Sequence, residues 1–345
     1  MRWVLGVDGG GTKTVCCALA SDGSGVAVVG PACGSSNRNS VGDEAAAEAV
    51  VAALHGCLAR AAGTDAGDDA DWGSVAAVVL GMSGVDRPGD PERVQEWVES
   101  AFVERGVTQC PPVQVTNDAV TALASGTRAG ARHGVVVIVG TGTITYGEDS
   151  SRAKGDVVTA RCDGWGPLLG DCGSGAWLGR RALEAVCRAA DGRGPATVLT
   201  SSVLALLGLS APEDLIAWRY SSSTSFAGVA AVAPCVLDGA AAGDPVAAAI
   251  VDDAVEELGC SLSVVVRALG WDVASAELLP CDAASGDAPR IVLAGGILDA
   301  RTNPLAVGLT RHARERHPVL DVVHTEVQSC EGAARMALGL LHTKS

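Results

Sequence analysis

The heptapeptide Asp8-Gly9-Gly10-Gly11-Thr12-Lys13-Thr14 places a carboxylate directly before a glycine-rich turn. Such turns often bind phosphates, because their exposed backbone N–H groups can donate to the anion where a Cβ would obstruct its approach. Asp8 could hold a hydrated Mg²⁺ while the turn N–H groups and the Thr12 hydroxyl face terminal phosphates. An ordinary hairpin turn is the alternative interpretation, since Asp and Gly are common turn residues.

Other phosphate and hydrolase motifs do not fit this sequence. A P-loop requires Gly-Lys-Ser/Thr, and none of the three lysines follows a glycine. A dinucleotide fingerprint requires a helix after its glycines, whereas the run from Gly9 enters an apolar, strand-like segment. Neither the Gly-x-Ser-x-Gly of α/β-hydrolases nor the His-Glu-x-x-His of zincins is present. Walker A chemistry is therefore excluded, and the other three classes are disfavoured.

Three further segments carry polar residues whose roles stay open from the residues alone. Asp118 follows a predicted strand and precedes an Ala-rich helix, where a helix N-cap is the simplest role. Asn37 lies in the polar loop SSNRNS, where a turn role is the default. The segment with Gly164-Trp165-Gly166 and Asp171 leads into a helix, so a packing Trp and a helix cap at Asp171 explain it without a ligand.

The elements that must position these residues alternate between strand and helix. Apolar runs and glycine breaks predict strands at 3–8, 15–21, 26–29, 74–80 and 113–116, with helices at 43–60 and 91–103. A comparable cycle begins at Val135, where VVVIVGTGTITYG predicts two strands around a second Gly/Thr turn. A mostly helical pattern over 171–269 follows, then strands at 290–294 and 320–323 and a helix at 331–341. This order predicts an α/β fold with a degenerate internal duplication.

Length and composition narrow the class of protein. At 345 residues the chain is long enough for about two domains. Its hydrophobic content of 48% excludes global disorder, and its net charge of −15 argues against binding nucleic acid or an anionic membrane. No membrane span or secretory signal pattern is recognisable, and the twelve cysteines include no Cys-x-x-Cys pair. We therefore expect a cytoplasmic protein with reduced thiols.

Three motifs, in order, resemble those of the actin-like sugar-kinase and Hsp70 superfamily. DGGGTKT resembles its first phosphate motif, Gly140-Thr141-Gly142-Thr143 its second, and IVLAGGIL at 291–298 its adenosine motif. Within that superfamily, SSNRNSVG, TNDAVTALASG and GWGPLLGDCGSG are similar to segments of the N-acetylglucosamine kinase and BadF/BadG-type ATPase family. Among these kinases, the segments look like those of the plant-type N-acetylglucosamine kinases.

The resemblance implies an α/β fold of two actin-like (ribonuclease H-like) domains with a nucleotide cleft between them. It assigns 1–118 to an N-terminal domain on the sugar side and 119–345 to a C-terminal domain with a helical part on the nucleotide side. A last helix over residues 329–342 is expected to pack back on the N-terminal domain. The resemblance further implies ATP and Mg²⁺ as cofactors, a homodimer, and phosphorylation of N-acetylglucosamine at its 6-hydroxyl.

The same resemblance implies a role for each candidate residue. Asp118 is expected to orient and deprotonate the sugar hydroxyl, and Asn37 and Asp171 to bind the sugar, while Trp165 itself is expected to be structural. The residues assigned to the sugar site are Asn37, Asp118, Gly164, Trp165, Gly166 and Asp171, and those assigned to the nucleotide are Asp8, as metal ligand, with Gly9, Gly10, Gly11, Thr12, Lys13, Thr141, Gly142, Thr143, Ala227, Gly295 and Gly296. Thr141 and Thr143 are expected to donate hydroxyl and backbone N–H groups to the β-phosphate.

One departure from the family pattern keeps alternatives open. Cys172 stands where many relatives carry Glu, so the acceptor could instead be glucosamine, N-acetylmannosamine or another hexose. An ATP-driven activator with an iron–sulfur cluster is an alternative within the family, with Cys162 and Cys172 as the nearest thiols. A non-catalytic sugar sensor is a third, although it would be expected to carry an added helix-turn-helix.

Overall fold

The computed structural model describes residues 1–64, 70–85, 87–127, 131–151, 157–221, 224–281, 287–325 and 327–342. The chain forms two compact units, Met1–His133 with Thr325–Ser345, and Gly134–His324. The unit boundary therefore lies at 133/134 and not at the predicted 118/119. The reason is that the helix beginning at Asp118 packs on strands of the first unit.

The first unit is built on a five-stranded sheet. Its elements are β1 (Trp3–Gly9), β2 (Thr14–Ala20), β3 (Val28–Val29), α1 (Arg38–Val41), α2 (Asp43–Ala61), β4 (Val75–Met82), α3 (Asp90–Glu104), β5 (Val113–Asn117), α4 (Asp118–Ser125) and α12 (Ser329–His342). The strand order is β3-β2-β1-β4-β5. The hairpin strands β1 and β2 are antiparallel, as are β2 and β3, whereas β1, β4 and β5 are parallel.

Helices cover both faces of this sheet, which explains why the inner strands β1, β2 and β4 are apolar along most of their length and do not alternate. Leu5 of β1 belongs to the cluster that contains Leu54 of α2 and Phe102 of α3. Its neighbour Val4 points to the opposite face and packs with Ala333 of α12. Strand β4, between β1 and β5, is buried at every position. The sheet therefore forms a rigid base for the residues at its edge.

Gly6 in β1 determines how closely α12 approaches the sheet. A Cβ at this position would lie 2.1 Å from both the backbone N of Ala334 and the backbone O of Cys330 in α12. Because backbone atoms cannot rotate away, Gly6→Ala is expected to lower the free energy of unfolding by about 3 kcal/mol. Gly339→Ala, in the same helix with nothing within 4 Å of its Cβ, is the control and is expected to be stabilising by about 0.5–1 kcal/mol. Urea unfolding measures both changes, and equal stability of the two variants would contradict this packing.

The second unit is also built on a five-stranded sheet. Its elements are β6 (Gly134–Val139), β7 (Thr143–Asp149), β8 (Val158–Asp163), α5 (Gly175–Ala190), α6 (Leu199–Leu207), α7 (Asp214–Tyr220), α8 (Phe226–Ala230), α9 (Ala233–Ala241), α10 (Pro245–Ala268), β9 (Arg290–Ala294), α11 (Pro304–Arg316) and β10 (Asp321–His324). The strand order is β10-β9-β6-β7-β8. One large apolar cluster joins the sheet to the helices, with Trp271 and Leu258 among its fully buried side chains.

The two sheets have the same topology, and the predicted internal duplication is confirmed. In each unit the first strand pairs antiparallel with the second and parallel with the fourth. The third strand extends the hairpin, and the fifth pairs parallel with the fourth. Each hairpin turn therefore occupies the equivalent place in its own sheet.

The sequence also predicted that the chain has no membrane span and that its thiols are reduced. Among the described residues, only the segments 226–241 and 245–268 taken together, bent by 113°, have the length and hydropathy of a membrane span, and no single helix does. All twelve cysteines are free thiols.

Candidate active site

The first glycine turn joins β1 to β2 at one edge of the first sheet. The Gly10 N–H donates to the Lys13 carbonyl over 2.9 Å, and Gly11, Thr12 and Lys13 are exposed at the tip. A Cβ at Gly9 would lie 2.4 Å from Met82 Sδ. A side chain at position 9 would therefore displace the Met82 thioether, and the tip of the turn remains accessible to an anion.

Asp8 lies one residue before this turn. Burial raises the pKa of its carboxyl group from 3.8 to about 6, and the charge of Lys13 opposes part of that rise. None of the hydrogen bonds found among the described residues ends on this carboxylate. Asp8 is half-buried, and a desolvated carboxylate with no donor among the described groups is stabilised by a cation; Mg²⁺ prefers oxygen ligands of this kind. Asp8 therefore fits the role of metal ligand.

Asn37 approaches the same hairpin from the loop after β3. Its Oδ1 accepts the Asn39 N–H over 3.1 Å, which caps α1, and its Nδ2 lies 3.4 Å from Ser83 Oγ as a donor. The Cβ position of Gly11 is 3.9 Å from the same Nδ2. The amide retains one N–H and one lone pair beyond these contacts. The turn role and a ligand role for Asn37 are thus compatible.

A buried ion pair holds the loop that carries Asn37. The next residue, Arg38, pairs with the buried Asp90 at the start of α3 and, over 3.0 Å, with Asp43 at the start of α2. Arg93 binds the second carboxylate oxygen of Asp43 over 2.9 Å. Two helices therefore fix the position of α1 and of its capping residue.

Ser83 and Gly84, which no sequence motif singled out, complete this side of the hairpin. The Ser83 N–H donates to the Gly9 carbonyl over 2.7 Å. Gly84 has φ +80°, and a Cβ there would lie 2.7 Å from Asn37 Oδ1. The sequence could have indicated these two residues only by their place after a predicted strand, because a strand parallel to β1 must end at the same edge of the sheet as Asp8.

Asp118 is the first residue of α4 and is half-buried, directly after β5. The helix cap is the preceding Asn117, whose Oδ1 accepts the Ala119 N–H over 2.9 Å. The interpretation of Asp118 as an N-cap is therefore wrong. In the strand register Gly9 pairs with Met82 and Met82 with Asn117, so about 10 Å of sheet separates the backbone of Gly9 from that of Asn117. Asp8, the first hairpin, Asn37, Ser83 and Asp118 share one edge of the first unit.

The second glycine turn joins β6 to β7 in the second unit. The start of α5 packs on it, because the Gly175 N–H donates to the Gly140 carbonyl over 2.8 Å and the Ala176 N–H to the Thr141 carbonyl over 3.0 Å. Thr141 is exposed. Thr143 is buried, and its hydroxyl donates to the Ile138 carbonyl over 2.7 Å. The expectation that the Thr143 hydroxyl donates to a phosphate is therefore wrong, since that proton is already committed.

Asp171 connects the 164–170 loop to the second hairpin. Its Oδ1 accepts the Gly166 N–H over 3.1 Å, and the N–H groups of Trp165 and Thr143 donate to the same carboxyl group. Burial raises the pKa of Asp171, these donors oppose the rise, and the charge of Asp163 adds to it. The cap of α5 is Ser174, whose Oγ accepts the Trp177 N–H over 3.2 Å. The interpretation of Asp171 as a helix cap is wrong.

Replacing Gly142 is expected to disturb this connection. A Cβ on Gly142 would lie 2.5 Å from Asp171 Oδ2. The buried carboxylate must then give up a backbone donor, so Gly142→Ala is expected to lower the free energy of unfolding by about 1–3 kcal/mol. Gly140→Ala is the control, because its Cβ would meet only the Gly142 carbonyl oxygen, at 4.0 Å. Chemical unfolding compares the two, and a Gly142 variant as stable as the Gly140 variant would contradict the role given to Asp171.

Trp165 is 68% exposed, so the expectation that it is a structural packing residue is wrong. Within the loop its side chain lies against Gly170, and Arg161 approaches its ring at 5.8 Å. Leu168 and Leu169 are also exposed on this loop. Gly164 and Gly166 both have positive φ, which allows the loop to turn on either side of the Trp.

The remaining candidates surround the second hairpin. Gly295 has φ +99°, and a Cβ there would lie 2.5 Å from the Val139 carbonyl oxygen, so the turn that contains Gly295 and Gly296 packs on the end of β6. The Cβ position of Gly175 is 3.0 Å from Ile297 Cδ1 and 3.3 Å from Ala230 Cβ. Ala227 is exposed on α8, the helix that contributes Ala230. The second unit thus brings Thr141, Gly142, Gly295, Gly296 and α8 around the start of α5.

Comparison with known proteins identifies the family. The model of the BadF/BadG/BcrA/BcrD ATPase family matches residues 5–337. The chain belongs to this family. The motif-based prediction of the family is confirmed, and the members that the chain resembles include sugar kinases.

Two relatives and one solved structure resemble this member of the BadF/BadG/BcrA/BcrD ATPase family over most of its length. The chain is 35% identical over 335 residues to an N-acetyl-D-glucosamine kinase of Dictyostelium discoideum, covering 97% of each chain. It is 32% identical over 269 residues to an N-acetylmuramic acid/N-acetylglucosamine kinase of Clostridium acetobutylicum, covering 78% of this chain and 81% of that one. A structure from Chromobacterium violaceum, proposed to be an N-acetylglucosamine kinase, matches with a TM-score of 0.67 and 28% identity over 98% of this chain and 99% of that one. The predicted fold class, α/β with two actin-like domains, is confirmed.

Cys172 stands at the position where the sequence resemblance predicts a glutamate, and its side chain is a neutral group there. The side chain is half-buried and packs on the core of the second unit, as does Cys162. Burial raises the pKa of the Cys172 thiol, the charges of Glu257 and Asp163 raise it further, and Arg180 opposes them. A thiol with a raised pKa is protonated at neutral pH, so Cys172 does not replace the charge of a glutamate.

Proposed function

We propose that this protein transfers the γ-phosphoryl group of ATP to the 6-hydroxyl of N-acetyl-D-glucosamine. The similarity over nearly the whole chain to a kinase named for this sugar supports the acceptor. The observation that carries the proposal is the position of Asp118. Asp118 directly follows β5, which ends at the same edge of the sheet as the first glycine hairpin. Asn117 caps the helix, so capping does not explain the carboxylate at position 118.

Residues of the first unit are proposed to bind the sugar and to accept the proton of its hydroxyl. Asp118 accepts the proton of the attacking hydroxyl, which makes the oxygen a better nucleophile as the new P–O bond forms. Asn37 binds the sugar through the N–H and the lone pair that its cap and Ser83 contacts leave available. The ion pair between Arg38 and Asp90 keeps this amide in place, so that the hydroxyl is oriented before transfer.

The two glycine hairpins and Asp8 are the groups proposed to bind the phosphates of ATP and the metal ion. Backbone N–H groups of Gly11, Thr12 and Lys13 and of Thr141 and Gly142 are the proposed phosphate donors, and Thr141 without Thr143 is the proposed hydroxyl donor. Asp8 is the proposed ligand of Mg²⁺, which, when bound, supplies positive charge for the transferring phosphoryl group. Gly295, Gly296 and Ala227 are the proposed contacts of the nucleoside, and Gly164, Trp165, Gly166 and Asp171 are proposed to form a wall of the sugar site.

The test is ADP release from ATP and Mg²⁺, measured with and without N-acetylglucosamine by a coupled assay. We expect release that depends on this sugar and a phosphate ester at its 6-position by NMR. The acceptor panel contains glucosamine, N-acetylmannosamine and N-acetylmuramic acid, the last because the Clostridium acetobutylicum relative is named for it. Preference for another member of the panel would correct the acceptor.

Two outcomes would replace the proposal by another function. Sugar binding without any ADP release would indicate a sensor. Iron in protein purified without oxygen, with ATP hydrolysis that no sugar stimulates, would indicate an activator of the iron–sulfur type. A homodimer and a cytoplasmic location remain proposals as well, and light scattering after size-exclusion chromatography tests the first.

A further inference from the structure

Two aspartates flank the 164–170 loop, and both have an unusual backbone conformation. Among the residues that the structure describes, Asp163, with φ +63°, and Asp171, with φ +56°, are the two residues other than glycine with positive φ. Residues with a Cβ rarely adopt this conformation, and those that do so cluster at ligand sites and other functional segments. The backbone N–H groups that Asp171 accepts explain its place, whereas no sequence motif includes Asp163.

The loop between the two aspartates has little apolar packing. Its large side chains are exposed: Trp165, Leu168 and Leu169. A segment of this kind is held by polar contacts and opens readily when these are lost. At the start of the loop, Gly164 has φ +73°, and its N–H donates to the Thr143 carbonyl over 2.9 Å. The conformation of the loop therefore depends on the turn that Asp163 and Gly164 form together at the end of β8.

The carboxylate of Asp163 binds Ser261 of α10. The Ser261 side chain is buried, and its hydroxyl donates to Asp163 Oδ2. A serine inside a helix often bonds the carbonyl four residues before it, and the Glu257 carbonyl oxygen lies 3.2 Å from the same hydroxyl. A hydroxyl has one proton to donate, and the carboxylate is both the nearer and the stronger acceptor. Ser261 is therefore the donor that holds the Asp163 side chain.

Helix α10 also contacts the segment beyond the other end of the loop. A Cβ on Gly173, two residues after Asp171, would lie 2.6 Å from Leu258 Cγ. Leu258 and Ser261 are three residues apart, so they are neighbours on one face of α10. Leu258 is fully buried in the core of the second unit, which fixes the position of this face. The same face of one helix therefore holds the chain on both sides of the loop.

We propose that Ser261 is a positioning residue for sugar binding, and that it acts by holding Asp163 in its left-handed conformation. This inference rests on the proposed function, in which the 164–170 loop forms a wall of the sugar site. Without the Ser261 hydroxyl the turn at Asp163 relaxes, and the N–H groups of Trp165 and Gly166 meet Asp171 for a smaller part of the time. The apparent affinity for the sugar then falls in proportion to the fraction of molecules with an ordered loop.

Steady-state kinetics of Ser261→Ala tests this inference. We expect the KM for N-acetylglucosamine to rise about 5–10-fold, because free enzyme with a disordered loop binds the sugar poorly. Saturating sugar orders the loop again, so kcat and the KM for ATP are expected to change less than about twofold. Ser263→Ala is the matched control, since Ser263 lies on the same helix and its Oγ is 3.1 Å from His317 Nε2, away from the loop. Equal sugar KM values in the two variants would overturn the proposal.

A double-mutant cycle shows whether Ser261 acts through Asp163. Asp163→Gly removes the carboxylate and keeps the turn accessible, since glycine adopts positive φ freely. In this background Ser261→Ala is expected to change the sugar KM less than about twofold, because the group that Ser261 holds is already absent. Additive losses would show that the hydroxyl acts through another group and would overturn the proposal.

Hydrogen exchange measures the order of the loop without any substrate. By mass spectrometry, the 164–170 segment is expected to exchange faster in Ser261→Ala than in the wild type or in Ser263→Ala. Unchanged exchange would overturn the proposal, and so would faster exchange with an unchanged sugar KM, which would make the contact purely structural. A wild type that releases no ADP with any sugar would instead refute the proposed function. The sugar-binding role of Ser261 would then fall with it, while the exchange rates would still show whether Ser261 orders the loop.

Discussion

Replacing Asp118 with asparagine is expected to lower the turnover number for sugar phosphorylation by at least ~100-fold. The change removes the proton acceptor but keeps the size and the hydrogen-bonding shape of the side chain. Because the sugar remains bound by other groups, its KM is expected to change much less than kcat. Steady-state kinetics with N-acetylglucosamine as the varied substrate measures both constants.

The neighbouring residue provides a control for this prediction. Asn117 caps α4 and Asp118 does not, so Asn117→Ala is expected to lower the free energy of unfolding by about 1 kcal/mol. Asp118→Asn is expected to leave the unfolding transition near that of the wild type. The two adjacent variants therefore separate a structural loss from a catalytic one. A folded Asp118→Asn protein with near-normal turnover would remove Asp118 from the reaction.

The elements around the glycine turns could be predicted because local rules are sufficient there. An apolar run that stops at a glycine cluster and resumes afterwards has few alternatives to a hairpin, so β1, β2, β6 and β7 all follow from the sequence. The edge strand β8 (VTARCD) does not, because its positions are exposed or only half-buried and its polar residues resemble a loop. Burial, which produces the apolar signal, is incomplete at a sheet edge.

Position within a helix start could not be read from residue type. Asn117 and Asp118 are both good capping residues, and only the place where β5 ends selects the first of them. Asp171 and Ser174 present the same ambiguity at the start of α5, and the structure selects Ser174. In both cases the structure gives the capping role to the neighbouring polar residue and not to the aspartate.

Contacts between paired strands were the second limit. The commitment of the Thr143 hydroxyl to the Ile138 carbonyl is a contact across the hairpin, and the sequence does not distinguish it from a hydroxyl that faces a ligand. Ser83 could not be recognised as a site residue for a related reason, because it lies beside the first hairpin only when β4 pairs with β1. Motifs therefore identified the turns, and the sheet determined which side chains at those turns are available.

Replacing Asp8 with asparagine is expected to make the metal-free protein more stable while lowering its turnover by at least ~100-fold. The folded protein holds the Asp8 proton more tightly than the unfolded chain, because the pKa is about 6 instead of 3.8. On account of this residue, the free energy of unfolding therefore falls as the pH rises from 3.8 to about 6. At 1.4 kcal/mol per pKa unit, Asp8→Asn is expected to gain about 2–3 kcal/mol at pH 8 in the presence of a chelator. Below the lower pKa, where both states are protonated, the gain disappears.

Mg²⁺ and a second aspartate make this prediction specific. Added Mg²⁺ is expected to raise the unfolding temperature of the wild type and not that of Asp8→Asn, because only the wild type offers it a carboxylate at this position. Hydrogen bonds from Ser24 lower the pKa of the exposed Asp22, so its contribution has the opposite sign and is lost as the pH falls. Asp22→Asn is therefore expected to reduce stability at pH 8. Urea unfolding at several pH values measures both variants. An Asp8→Asn protein less stable than the wild type at pH 8 without metal would show that the carboxylate has an unrecognised partner and is not kept available for a cation.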